Sequence, residues 1–365
     1  MLPTFLVGTL LFALQDSSSP KLQKTPPDGK IEHLDSISGP VCFNNDGSLA
    51  AVLLADTSEV ILIDFAARKK LRTLSGLKRI NRRGYIVPAV VPVLAFSRDS
   101  RFLLGGLFTT SEKGAGPQLI WEVRSGKAWG QFRAFEGPIT AIAFTNDGKA
   151  FVTAGSNDAH ALSADLVKVW AWDSDHPGVP KTPLRTLEVN NREITLGPGE
   201  KTILSRPSER GYESIDFETG ELLQKVETPL SPGQSTWFGA NCSQLSPDGK
   251  LLAIGSGFWR EARPDRSDPQ GVLRLWNVAD TSLRREFLSA RMVLGVSFTP
   301  DSKRVAVTAK ITPSYNPCRT CIYDVESGDC LRRIEGEFSD AVVTPDGEWI
   351  VSAGTDEILL WKMPP

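Results

Sequence analysis

Across 365 residues, 41 Lys and Arg stand against 43 Asp and Glu, leaving a formal charge of −2. This gives neither the basic excess of a nucleic-acid binder nor that of a membrane-surface protein. A composition of 41% apolar and 23% charged residues is ordinary for a globular chain, and the length, which by itself allows two or three domains, fits a single all-β repeat fold equally well.

Leu2 to Leu14 is almost wholly apolar. It is too short to cross a bilayer as a helix but has the length of a signal-peptide core. No Lys or Arg precedes it, and Ala13-Leu14-Gln15 is a poor cleavage site. Residues 1–15 are read as a signal peptide, which predicts an exported protein, periplasmic or secreted. The alternative is an uncleaved start on a cytoplasmic one. Residues 16–29 read as a flexible linker, and residues 30–365 as the folded unit. Ile31-Glu32-His33-Leu34 precedes the first repeat much as Leu331-Arg332-Arg333-Ile334 precedes the last.

From there one twelve-residue design recurs seven times: FNNDGSLAAVLL (43–54), FSRDSRFLLGGL (96–107), FTNDGKAFVTAG (144–155), LGPGEKTILSRP (196–207), LSPDGKLLAIGS (245–256), FTPDSKRVAVTA (298–309) and VTPDGEWIVSAG (343–354). A large apolar residue opens each block. Asp holds the fourth place in all but one, at Asp46, Asp99, Asp147, Asp248, Asp301 and Asp346, with Gly199 the exception. Each block reads as strand, tight turn, strand: the Asp carboxylate accepts from a backbone N–H two residues on, and Gly tolerates positive φ. A third strand then ends at Ile63, Trp121, Trp170, Ile215, Trp276, Tyr323 or Trp361, often followed by a polar residue such as Asp64 or Asp324. Turns such as Ser125-Gly126 and Ser327-Gly328 lead into a fourth short strand. A period of roughly 45 to 50 residues marks stacked units that cannot bury their apolar faces alone, and four antiparallel strands per unit make a propeller blade.

At these turns and strand ends the chain resembles the WD40-repeat family, over about residues 30–365. The resemblance implies an all-β, seven-bladed β-propeller of four-stranded antiparallel blades that acts as an interaction scaffold. The family's Gly-His before the first strand is here Gly39-Pro40 and Gly137-Pro138, and none of His33, His160 and His176 sits there, so the chain reads as a divergent relative. The last repeat stops at its third strand, so its outer strand is expected from the 31–34 segment, paired beside residues 358–362. Such closure removes a sheet edge.

Of five cysteines, Cys42 and Cys242 fall in or near inner strands, and only Cys318 and Cys321 have ligand spacing. A metal site needs two more ligands. The pair therefore reads as a loop disulfide or as two plain thiols. No phosphate-loop, dinucleotide, nucleophile-elbow or zinc-protease pattern is present, and no catalytic residue, metal or cofactor is assigned.

In a meander of strands a, b, c and d, the b–c and d–a connections leave one end of the ring. Extra length falls there, around 108–118, 157–166, 257–271 and 310–320 in b–c loops and 75–92 and 227–241 in d–a connections. Loops gathered on a rigid scaffold are where binding residues collect. Two of these are basic and aromatic: Arg79, Arg82, Arg83 and Tyr85 in one, Trp259, Arg260, Arg263 and Arg266 in the other, with Trp237, Tyr315 and Arg319 nearby. Arg with Trp or Tyr is the composition of protein hot spots. The chain is thus expected to be a noncatalytic, monomeric scaffold. Its expected partner is a protein or peptide with acidic character, with no nucleic acid and no stable membrane span. The alternative is a propeller enzyme holding a metal or quinone in the central channel. Against it, the innermost segments, such as Ile139 to Phe144, are apolar or small.

Overall fold

The computed structural model describes residues 25–31, 37–54, 59–76, 92–107, 117–137, 139–158, 164–175, 178–191, 194–208, 211–227, 239–257, 271–289, 292–311, 318–336, 338, 341–354 and 357–365. These form seven four-stranded antiparallel sheets. β1 (Gly29–Ile31) comes first in the chain and belongs to the last sheet. Blade one is β2 (Ile37–Phe43), β3 (Leu49–Leu54), β4 (Val60–Asp64) and β5 (Lys69–Leu74), and blade two is β6 (Pro92–Phe96), β7 (Phe102–Leu107), β8 (Gln118–Glu122) and β9 (Ala128–Phe132). Blade three is β10 (Ile139–Phe144), β11 (Ala150–Gly155), β12 (Ala164–Ala171) and β13 (Arg185–Asn191), and blade four is β14 (Ile194–Leu196), β15 (Thr202–Ser208), β16 (Gly211–Asp216) and β17 (Leu222–Glu227). Blade five is β18 (Gly239–Leu245), β19 (Leu251–Gly257), β20 (Gly271–Asn277) and β21 (Leu283–Ser289), and blade six is β22 (Val293–Phe298), β23 (Arg304–Lys310), β24 (Cys318–Asp324) and β25 (Cys330–Gly336). β26 (Ala341–Val343), β27 (Trp349–Ala353) and β28 (Ile358–Lys362) complete blade seven with β1.

The described side chains of the second strands are largely buried on both faces, which is why runs such as Ala50 to Leu54 and Leu251 to Gly255 read as unbroken apolar stretches. Successive side chains go to opposite interfaces. Ala51 and Leu53 join the cluster shared with blade two, while Ala50 and Val52 join the one shared with blade seven. Among the described residues there are seven such clusters, one for each interface of the ring. The third-strand residues singled out by the repeat fill them: Trp121, Trp276 and Trp361 are all but fully buried, each against the preceding blade.

The turns behave as the repeat requires. Each of the six aspartates accepts the backbone N–H two residues on, from Ser48, Arg101, Lys149, Lys250, Lys303 and Glu348, at 2.9–3.1 Å. The residue after each Asp has positive φ, including Ser100 and Ser302. The hydroxyl at the block's second place adds a further bond that the repeat did not reveal. In blade three, Thr145 Oγ1 donates to Asp147 at 2.6 Å and accepts from Ala150 N at 3.1 Å; Ser97, Ser246, Thr299 and Thr344 do the same.

Closure differs in register from the expected one. The strand that pairs with β28 is Gly29 to Ile31, with Gly29 opposite Leu360 and Ile31 opposite Ile358, so it starts two residues before the expected 31–34 segment. Residues assigned to the end of the linker also join the fold. Asp28 accepts from Lys362 N at 2.7 Å and from Arg332 at 3.2 Å, and Thr25 N donates to Glu335 O at 2.8 Å. Lys30 adds an ion pair with Glu357 at 2.8 Å. Polar pairing accompanies this register: Asp28 meets both the last strand's amide and a cation, and Ile31 is buried in the core between blades seven and one.

Candidate interaction face

Strand order places every a–b turn and c–d turn at one end of the ring and every b–c and d–a connection at the other. The first end is tied shut twice. Its inner tie is made by the a–b turns, which all have the same length: 44–48, 97–101, 145–149, 197–201, 246–250, 299–303 and 344–348. Each touches the next. Arg98 Nη1 donates to Asn45 Oδ1 at 3.0 Å, Asn146 N to Glu200 Oε1 at 2.6 Å, and Asp248 N to Ser302 Oγ at 3.1 Å. Arg98 lies over Gly148, Pro198 over Gly249, Pro300 over Gly347 and Pro345 over Gly47, which completes the circle. At Gly47, φ is 75° and an added Cβ would lie 3.3 Å from Pro345 Cδ, so both the left-handed backbone and the close neighbour favour glycine.

The outer tie uses one position on the fourth strand. Arg72, Arg185, Arg285 and Arg332 each pair with the penultimate apolar residue of the third strand. Three of them reach backbone carbonyls of the next blade: Arg185 bonds Phe217 O at 3.0 Å, Arg285 bonds Glu326 O at 2.7 Å and Arg332 bonds Lys362 O at 2.5 Å. Arg72 packs over Gly126. In blades two and seven the same position is Gly130 or Gly29, and the next blade reaches back instead, with Val179 over Gly130 and Arg68 over Gly29. Gln224 holds the place in blade four.

Val179 belongs to the connection 172–184, the long member at this end, which the repeat comparison did not register because it stopped at the third strand. It is tied down by Arg101 to Asp175 at 2.8 Å and by Trp172, which packs on Phe102 at 5.2 Å between ring centroids. Its sequence signal was the proline-rich HPGVPKTP.

Arg79, Arg82, Arg83, Tyr85, Trp237, Trp259, Arg260, Arg263, Arg266 and Tyr315 lie outside the described residues. Arg319 is described. It sits in β24 rather than in a loop, and its guanidinium is held by Glu335 at 2.6 Å along the flank of the blade. Lys310, which the repeat did not single out, lies buried at the end where the b–c connections leave, across from Cys318. Burial pushes its ammonium down from the ordinary lysine range, and Cys318 opposes that shift.

The seven innermost strands contain no Asp, Glu, Lys, Arg or His. They are joined to one another by neutral groups: Cys42 Sγ donates to Leu94 O at 3.4 Å, Phe298 N to Gln244 Oε1 at 2.8 Å, and Val343 N to Ser297 Oγ at 2.9 Å. Burial pushes the Cys42 thiol up to about 12, so it packs as a neutral group. Among the described residues no group of three or more His, Cys, Asp or Glu is placed to hold a metal, and no helix is long and apolar enough to cross a membrane.

Comparison with solved structures agrees with this architecture. The β-propeller domain of Cps50 (Swd1) from Myceliophteria thermophila superposes with a TM-score of 0.65 at 17% identity, over 92% of this chain and 99% of that one. The fold is a seven-bladed β-propeller. No family model matches the sequence, and no curated protein matches it. The turn chemistry recurs from blade to blade, but other details do not. Even the tryptophan partners vary: Trp170 Nε1 donates to Thr153 Oγ1 at 2.9 Å, whereas Trp121 Nε1 donates to Ser75 O at 2.9 Å.

Proposed function

We propose that this propeller is a noncatalytic scaffold that captures a protein or peptide with acidic groups on the end formed by its b–c and d–a connections. The observation that carries the reading is the asymmetry of the two ends. One is closed by uniform five-residue a–b turns and a belt of inter-blade bonds, with its long connection 172–184 packed down on blade two. The other receives the long connections that hold Arg79, Arg82, Arg83, Trp259, Arg260, Arg263 and Arg266. A rigid base with loops on one side is the arrangement from which binding surfaces are built, and the uncharged innermost strands favour a scaffold over channel chemistry.

The test replaces Arg79, Arg82 and Arg83 together with Ser and measures capture of partners from the native host. Partner recovery should fall while the melting temperature stays unchanged. Undiminished capture at equal stability rejects this patch.

A further inference from the structure

Among the described residues, every large apolar side chain that is exposed lies on an outer strand or in the segment leading into it. Four of them stand at the same bulge, one residue before the outer-tie position: Leu71, Trp129, Leu223 and Leu331. Blade five carries Arg284 there. The bulged residue has no partner across the ladder, which is why its side chain stays in solvent.

On the other blades the exposed residue is guarded. Arg72 follows Leu71, Arg185 follows Leu184, Arg284 follows Leu283 and Arg332 follows Leu331, and charge on an outer strand discourages pairing with a foreign one. Trp129 leans on Phe102 at 6.3 Å between ring centroids. Blade four has no such guard. Leu222 and Leu223 are adjacent, 57% and 55% exposed, and the next residue is the neutral Gln224. Gln224 is itself exposed, whereas Arg72, Arg185, Arg285 and Arg332 are half-buried. The joint with blade five therefore lacks the cation that four other joints have.

The surrounding charge is one-sided. From Gly211 to Glu227 the hairpin holds Glu213, Asp216, Glu218, Glu221 and Glu227 against Lys225 alone. In no other c–d hairpin do acids outnumber bases by more than one. Lys225 is already engaged, with Glu213 at 3.6 Å and Glu227 at 3.4 Å. A second copy of this chain is the wrong occupant, because apposing two such flanks sets like charges together.

We propose that β17, the outer strand of blade four, is a docking edge for an extended segment of a partner protein in which apolar residues alternate with Lys or Arg. The apolar side chains cover Leu222 and Leu223. The cations meet Glu221, Glu227 and the acids around them, and one of them takes the place at the blade-four joint that Arg holds elsewhere. The segment's backbone pairs with the outward groups of β17, which no strand covers among the described residues. This edge lies on the flank of the ring and does not depend on the loop-bearing end, and its charge preference is the opposite of the one proposed there.

The probes are two short labelled peptides, one alternating Val with Lys and the other Val with Glu, titrated into the full-length protein by fluorescence anisotropy. The Lys peptide should bind, less tightly as salt is raised, and should slow deuterium exchange at the β17 amides. The Glu peptide should not protect β17. Leu223→Arg puts at this bulge the residue type that blade five carries at its own, Arg284, so the melting temperature should stay unchanged. It should weaken the Lys peptide roughly tenfold, the scale of one lost anchor. Leu331→Arg, at the same bulge of blade six, should leave binding unchanged. No binding of the Lys peptide, equal binding to Leu223→Arg, an equal loss in Leu331→Arg, or protection of β17 by the Glu peptide overturns the proposal. So does a wild type that sediments as a dimer which Leu223→Arg dissociates, since a second copy then holds the edge.

Discussion

Gly328 and Arg285 make the outer tie measurable. Gly328 sits in the blade-six hairpin at φ 83°, and a Cβ added there would lie 2.8 Å from Arg285 Cζ and 3.1 Å from its Cδ. Gly328→Ala therefore carries two costs. Left-handed backbone costs a residue with a side chain about 1–2 kcal/mol. In addition the methyl group displaces the guanidinium from Glu326 O, a charge-assisted bond worth about 1.5–3 kcal/mol. Arg285→Ala removes that same bond, so in its background Gly328→Ala costs only the backbone component. The double variant should then fall short of the sum of the single ones by about 1.5 kcal/mol, the lower end of the range, because Arg285 is only partly buried. Urea unfolding of all four proteins, compared at equal slope, measures the difference. Additivity within about 0.5 kcal/mol would refute the claim that this arginine bridges the two blades.

Three further outcomes follow from the same structure. Trp276 is 2% exposed between blades four and five, and no acceptor among the described residues reaches its Nε1. Trp276→Ala should cost about 3–5 kcal/mol, and Trp276→Phe less than half of that, since it also removes an unpartnered donor; equal losses in thermal unfolding would contradict the packing. The Ser48 hydroxyl holds Asp46 low, as Thr145 does Asp147 and Thr299 does Asp301; at Asp99 and Asp248 burial pushes upward and is outweighed by the hydroxyl and amide bonds. Folded-state values below the unfolded one mean that stability is present above pH ~4 and is lost as pH falls through the depressed values. Asp147→Asn with Asp301→Asn should lower stability at neutral pH and flatten the acid limb of a pH titration, and an acid limb of unchanged steepness would count against the turn bonds. Ile31 is 2% exposed in the closing strand, so Ile31→Asp should open the seventh blade and raise proteolytic cleavage near β28; wild-type resistance would mean that the ring closes without it.

Much of the architecture was legible because the turn is chemically demanding. An Asp that must accept a backbone N–H, followed by a residue of positive φ, leaves few substitutes, and so Asp46 through Asp346 recur visibly. The tryptophans were legible for a similar reason, since a wedge between blades selects large rings. The outer tie was not. The position it uses is Arg in four blades, Gly in two and Gln in one, and only the fold shows that Gly130 and Gly29 are matched by Val179 and Arg68 arriving from the other side. At those two positions the side chain that covers the joint comes from the following blade. Closure was placed two residues late because Ile31 to Leu34 imitates Leu331 to Ile334 in its apolar ends, whereas the decisive contacts are polar and involve Asp28 and Thr25. For the interaction face, the sequence supplied loop length and composition. Arg319 illustrates the limit of that reading: its partner Glu335 lies on the adjacent strand, where only sheet register can find it.

The joint between β1 and β28 also has a temporal side. Lys30 and Glu357, which lock it, are 327 residues apart in sequence. On the ribosome, at about 5–20 residues per second, the early strand waits roughly 20 s to a minute for its partner to emerge. Six blades can stack in that interval, while the growing chain remains an open arc with an unpaired rim at each tip. Chaperones that shield such rims, and conditions that slow elongation, should therefore bear on its yield more heavily than on that of a protein whose neighbouring segments pair as they appear.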